Sequence, residues 1–323
     1  MAKSRGRAVS VALVLAAAVA VAVSAGSAGA GDRASINGLV YGIPSPLATE
    51  PGEHNINSGV SCWAKGHGGR VIVLDSNLDV NKQISDFDNL LAQGAQVLPF
   101  LALDQKAFRG PFARAQKKGV KVIELYNPQT VSAGSVYEAS RQAGADAVKL
   151  VARAFPNGAK AVVIGGPPIP VINERVAGYT ANAGKYKIQI LEQVDNLKDN
   201  VNDARRLADD LLTKHPDAQV VFGFNDNAAI GAGLAAKSRG KKLLIFGING
   251  TEEGIKAVRS GLITATYEAD QFKIGYLGAR LGAQLYAGQK VPRLVAVDMK
   301  RWDSAAVKKW VPFSKRCAAL THG

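Results

Sequence analysis

Two asparagines, Asn225 and Asn249, each stand directly after a short apolar run, Val220–Phe224 and Leu243–Ile248. A primary amide carries both hydrogen-bond donors and an acceptor. Such a side chain suits the binding of hydroxyls or carbonyls and makes a poor acid, base or nucleophile. Tyr126 and Asn127 stand at the tip of another apolar run, Val120–Leu125. Motifs that would supply catalysis are missing: the sequence has no GxSxG, no HExxH and no carboxylate pair beside a nucleophile. Gly165-Gly166-Pro167-Pro168 reads as a rigid turn, because no phosphate-binding glycine pattern follows it. The four histidines, at 54, 67, 215 and 322, and the two cysteines, Cys62 and Cys317, fit no metal motif. Neither a metal nor a cofactor is expected.

The amides need elements to position them. Val220–Phe224, Leu243–Ile248 and Ile263–Tyr267 each lead into a helix-like segment. Asp226 is placed to accept from the free amides of the first helical turn, and Gly240 suits its left-handed end. The next helix begins at Thr251, with Glu252 and Glu253 where the helix dipole favours negative charge, and ends at Gly261. Such βα runs build parallel sheets with helices on both faces. Ligands then bind beyond the carboxyl ends of the strands, so Asn225 and Asn249 are expected in one crevice. Upstream, the pattern predicts a strand over 36–41, a Pro- and Gly-rich loop over 42–57 and a helix from Asn57 or Ser58 to Lys65. Further βα units follow: strands over 71–74, 97–101 and 120–125, with helices over 80–93 and 106–118 between them. Strands at 135–139, 161–164 and 188–191 alternate with helices over 142–154, 173–183 and 199–215.

The order strand–Asn225-Asp226-x-x-Ala229-x-Gly231, strand–Gly247-x-Asn249-Gly250-Thr251, then Gly261-Leu262-x-x-Ala265-Thr266 resembles the second half of the ribose-type, or type I, periplasmic sugar-binding proteins of ABC importers. The LacI-type repressors share that core. The resemblance covers most of the chain after about Val71. It implies two doubly wound α/β lobes joined by a three-crossover hinge near 139, 269 and 298. It also places the site. Arg175, in Asn173-Glu174-Arg175, matches the family's ligand-binding arginine, the alternative being an ion pair with Glu174 or Asp203. Asn225 matches the binding asparagine. Asn249 replaces an aspartate, Tyr126-Asn127 replaces an Asp-Arg pair, and Asn196 replaces an aromatic residue. Ala269 falls where a glutamine reaches in, with Asp270 and Gln271 beside it. The aromatic loop after the first strand is matched by Glu50-Pro51-Gly52-Glu53-His54, which brings Glu53 into the candidate set. These changes point away from ribose and toward a polyol, a deoxy or furanose-type ligand, or one with an amine or hydroxyl-rich end. Alanine at 175 is expected to abolish binding with little loss of fold.

Composition narrows the class. With 323 residues, 47% of them hydrophobic, the chain can fill two modest lobes. Lys3, Arg5 and Arg7, the apolar run from Ala8 to Val23, and Ala28-Gly29-Ala30 read as a cleavable signal peptide over 1–30, with no lipoprotein cysteine after it. No DNA-reading helix-turn-helix precedes the core. The net charge of +14 falls to +11 without that leader. The basic excess carries no interleaved aromatic stackers and sits on an exported chain, so nucleic acid is not an expected partner. Cys62 and Cys317 are permitted a disulfide outside the cytoplasm, and two unpaired thiols are the alternative.

The sequence therefore predicts a monomeric, extracytoplasmic solute-binding protein and no enzyme. Residues 31–139 with 270–297 are expected to form one lobe, and 140–269 with 298–323 the other. Its partners are expected to be a sugar- or polyol-class small molecule and the membrane permease of an ABC importer. A sensor subunit presenting a signalling ligand to a membrane receptor is the alternative, and an exported hydrolase the more distant one.

Overall fold

In the computed structural model, which describes residues 34–127 and 131–321, strands and helices alternate along nearly the whole chain. The leader expected at 1–30 lies outside these residues. No helix among the described residues is long and apolar enough to cross a membrane.

The first run comprises β1 (Val40–Ser45), α1 (Pro51–Gly66), β2 (Arg70–Asp75), α2 (Val80–Ala92), β3 (Val97–Phe100), α3 (Arg109–Lys117), β4 (Lys121–Leu125) and β5 (Gly134–Glu138). The chain then leaves this lobe for α4 (Ser140–Ala154), β6 (Ala159–Gly165), α5 (Pro170–Ala183), β7 (Ile188–Asp195), α6 (Val201–Lys214), β8 (Val220–Gly223), α7 (Asp226–Ser238), β9 (Leu244–Ile248), α8 (Glu252–Arg259) and β10 (Ala265–Glu268). It returns through α9 (Gln271–Tyr286) and β11 (Leu294–Val297), then crosses again to β12 (Lys300–Asp303) before ending in α10 (Arg316–Thr321). Two six-stranded sheets result, in the orders β11-β5-β4-β3-β1-β2 and β12-β10-β9-β8-β6-β7. All pairs are parallel except β10 with β12. The helical crossovers between parallel strands bury both sheet faces, which is why β3 and β8 are buried at every position.

One local difference matters for the site. The first helix starts at Pro51, six residues before the position expected from composition. Proline at the first helical position lacks only an amide that would be orphaned anyway, and its fixed φ suits the turn. Glu50 caps it by accepting from the Glu53 amide at 2.8 Å. A segment read as loop is therefore helix, and Glu53 lies in its first turn. The helix packs against α9 backbone to backbone. A Cβ on Gly59 would sit 1.9 Å from the Phe272 carbonyl oxygen, and one on Gly275 2.0 Å from that of Ile56. Glycine at both positions lets the starts of α1 and α9 lie side by side.

In the second lobe, Tyr179, Phe222 and Phe246 stack in series within the core. Asp226 does not cap α7; Asn225 does, accepting from the Ala228 amide at 3.0 Å. The Asp226 carboxylate instead accepts from the Thr251 amide and hydroxyl, both at 2.8 Å, and from the Thr266 hydroxyl at 2.5 Å. Burial pushes its pKa up to about 6 against these hydrogen bonds. One side chain thus ties the ends of β8, β9 and β10 together.

The tail, read from sequence as part of the second lobe, reaches both. Glu268 accepts from the indoles of Trp302 at 2.6 Å and Trp310 at 3.0 Å, and from Arg316. Cys317 then forms a disulfide with Cys62 of α1. The Tyr276 hydroxyl donates to the Leu320 carbonyl at 3.1 Å, so α10 lies on the first lobe.

Candidate functional site

The carboxyl ends of both sheets face one cavity between the lobes. Leu47, Leu78, Leu101 and Tyr126 line it from the first lobe, together with Glu50 and Glu53. Ile169, Ile172, Arg175, Asp199, Phe224, Asn225 and Asn249 line it from the second, with Gln271 at the start of α9. Its volume is about 50 Å³. Small-molecule sites usually span about 300–1,000 Å³, so the lobes are drawn closely together here. Tyr126, Asp199 and Asn249 all have positive φ, at 64°, 46° and 127°. Non-glycine residues hold such backbone only where the surroundings over-determine it, and they gather at ligand sites.

The two lobes meet at Gly52. A Cβ there would lie 2.6 Å from Gln271 Nε2, 2.8 Å from Glu50 Oε2 and 2.9 Å from Asn249 Nδ2. Asn249 donates across the cleft to Glu50 Oε1 at 3.3 Å. Its Oδ1, the Gln271 Oε1 and the Tyr126 hydroxyl are buried with no hydrogen-bond partner among the described residues. An unmade bond of this kind costs about 1–3 kcal/mol.

Arg175 is 4% exposed and joins a different network from the pairs considered in the sequence. Glu174 pairs with Arg141, and Asp203 with Arg206. Arg175 meets Glu138, at the end of β5, through Nε and Nη2, each 2.9 Å from Oε1. It also donates to the Phe224 carbonyl at 3.4 Å. Burial opposes its charge, but Glu138, with Tyr126 and Glu50 behind it, more than compensates and its pKa rises. The pair fastens the first crossover between the lobes to the helix that faces the cavity.

Burial raises the pKa of three carboxyls. Glu50 is pushed well up by desolvation and then by Asp199 facing it. Glu53 is pushed up to about 7, again by burial first, with Ser45 donating at 3.4 Å in the opposite sense. Asp199 rises because it is buried, despite hydrogen bonds from Asn225 at 2.6 Å and Asn227 at 3.3 Å.

Five of the expected site residues line the cavity: Glu53, Tyr126, Arg175, Asn225 and Asn249. Both amide atoms of Asn225 are engaged, one in capping α7 and one on Asp199, so it positions the loop carboxylate. Asn127 and Asn196 are not among the lining residues. Asn127 donates to Glu124 at 2.8 Å. Asn196 donates to the Asn200 carbonyl at 2.9 Å and braces the turn that carries Asp199. The sequence did not single out Glu138 or Asp199, and it named Glu50 and Gln271 within matched segments without making them candidates. Glu50 had a readable signal, an acceptor directly before a proline that opens a helix. Glu138 and Asp199 meet their partners only through the tertiary fold.

By architecture and site, this is a two-lobed solute-binding protein with polar and apolar side chains lining the cleft between its lobes. The chain belongs to the periplasmic binding protein domain family, whose model matches residues 42–290. It is 30% identical over 238 residues to the ribose import binding protein of Haemophilus influenzae, covering 72% of this chain and 80% of that protein. It is 26% identical over 265 residues to the ribose import binding protein of Bacillus subtilis, covering 81% and 86%. A solved solute-binding protein of an ABC transporter from Mycobacterium smegmatis, with bound glycerol, superposes with a TM-score of 0.76 at 26% identity. That match covers 84% of this chain and 96% of the other.

Proposed function

We propose that the protein captures a sugar- or polyol-class molecule between its lobes and delivers it to the permease of an ABC importer. The observation that carries this is the set of buried, unpartnered polar atoms on cavity-lining residues: the Tyr126 hydroxyl, Asn249 Oδ1 and Gln271 Oε1. Vicinal hydroxyls both donate and accept, so they satisfy such atoms while the leucine and isoleucine lining packs a ligand's apolar face. The names of the relatives, ribose import binding proteins, and the glycerol in the Mycobacterium smegmatis structure agree with a polyhydroxyl ligand. In this reading Glu50, Glu53, Tyr126, Asn249 and Gln271 touch the ligand, while Arg175, Asn225 and Asn196 hold the cleft in shape. The site performs no chemistry on its cargo. Residues 1–30 direct export and are cleaved, placing the protein outside the inner membrane, where it works as a monomer.

A thermal-shift screen of the purified protein against pentoses, hexoses and polyols tests this. At a ligand concentration a hundred times Kd, binding adds about 2.7 kcal/mol to stability. For a chain of this size that is a rise of roughly 4 °C in Tm. A screen in which no member raises Tm would refute the reading.

A further inference from the structure

The cleft lining holds more carboxyl groups than its own cation can answer. Its lining holds three carboxylates, Glu50, Glu53 and Asp199, and one guanidinium, Arg175. Arg175 is already taken by Glu138. The three lining carboxylates have no ion-pair partner among the described residues. Their hydrogen bonds come from neutral groups: the Glu53 amide and Asn249 to Glu50, Ser45 to Glu53, and Asn225 and Asn227 to Asp199.

The carboxylates also sit on opposite lobes. Glu50 and Glu53 cap and open α1, while Asp199 stands in the loop before α6. Burial is the first cause of their raised pKa values, and Asp199 adds to it for Glu50 and Glu53 from the facing lobe. The remaining ionisable groups nearby are Tyr126 and Glu138, which add no positive charge. No group of three or more His, Cys, Asp or Glu among the described residues is placed to hold a metal ion. The carboxylates are spaced for something larger than a bare cation.

We infer that the ligand is a hydroxylated amine, its ammonium held between Glu50, Glu53 and Asp199 and its hydroxyls on Tyr126, Asn249 and Gln271. This rests on the reading of the cleft as a polyhydroxyl site. The ammonium supplies the donors and the charge that the closed cleft lacks, and it bridges the two lobes directly. The unpartnered acceptors Asn249 Oδ1 and Gln271 Oε1 take hydroxyl protons.

The test is calorimetric titration of the full protein near neutral pH with matched pairs: aminopropanediol against glycerol, glucamine against sorbitol, and glucosamine against glucose. N-acetylglucosamine serves as an uncharged control for the last. In at least one pair the amine should bind roughly tenfold tighter or more, since a hydrogen bond to a charged group is worth about 1.5–3 kcal/mol. That preference should vanish in Asp199→Asn, with its melting temperature measured alongside as the check that it folds. A neutral member binding as tightly as its amine, or tighter, overturns the amine and leaves the polyhydroxyl reading standing. Absence of binding by every member of both series overturns both.

Discussion

The pairing of Arg175 with Glu138 changes what a substitution at 175 should do. Replacing Arg175 by methionine keeps the stem and removes the charge. Glu138, itself 7% exposed, would keep a single neutral donor, the Ser140 hydroxyl at 2.7 Å. Breaking a buried pair from one side costs about 3–5 kcal/mol, because the partner is left as an uncompensated buried charge. Arg175→Met should therefore destabilise the fold as well as the cleft. Adding Glu138→Gln removes that stranded charge. The double variant should recover stability relative to Arg175→Met, with a coupling energy of about 2 kcal/mol or more. Urea unfolding of the wild type, both single variants and the double variant gives the four corners of the cycle. Single effects that add within about 0.5 kcal/mol would refute the coupling. The expectation from sequence, that residue 175 could be truncated with little loss of fold, treated the arginine as a ligand fork alone.

Three further outcomes follow from the same network. Glu53 ordinarily titrates near 4.5 and is held at about 7 here, so the folded state keeps a proton that the unfolded chain has lost. Its contribution is favourable at low pH and is lost as pH rises from about 4.5 through 7; each displaced pH step is worth about 1.4 kcal/mol, or about 3 kcal/mol once Glu53 is ionised. Glu53→Gln should flatten the fall in Tm across that window by roughly 5 °C, and parallel wild-type and variant melting profiles would contradict this. Asn249→Asp sets a carboxylate against Glu50, so it should weaken binding of an uncharged polyol at neutral pH and less so at acid pH; calorimetry showing unchanged or tighter binding of that polyol at neutral pH would refute the contact. The disulfide closes a loop of 255 residues, for which chain entropy gives an upper figure of about 5 kcal/mol. Cys317→Ser, or reductant, should lower Tm measurably and expose the tail to protease, and an unchanged melt would argue that the bond stabilises nothing.

Much of the scaffold could be read directly from the residues. Strict alternation of short apolar runs with capped helices marks parallel βα units, and Thr251 with Glu252 and Glu253 marks the start of α8 as observed. Asn225 and Asn249 were legible because strand tips in such sheets converge on one crevice. What stayed hidden depends on distance in space. Glu138 and Arg175 are 37 residues apart and meet only after the chain has crossed between lobes. Glu50 meets Asn249 across 199 residues. The start of α1 was missed for a local reason: three prolines suggested a loop, whereas Pro51 opens a helix under a Glu50 cap. Gln271, beside the alanine that aligned with the family's glutamine, reaches the cavity because α9 begins there and points its first residue inward.

In the proposed function, ligand is enclosed between two lobes that part to admit it. Asn249 and Glu50 touch across the cleft in the closed arrangement, and a cavity of about 50 Å³ is smaller than the usual small-molecule site. Small-angle X-ray scattering of the protein with and without saturating ligand measures this directly. The radius of gyration should fall on binding, toward the value of the closed arrangement. An identical radius of gyration in the free and saturated protein would contradict capture by closure.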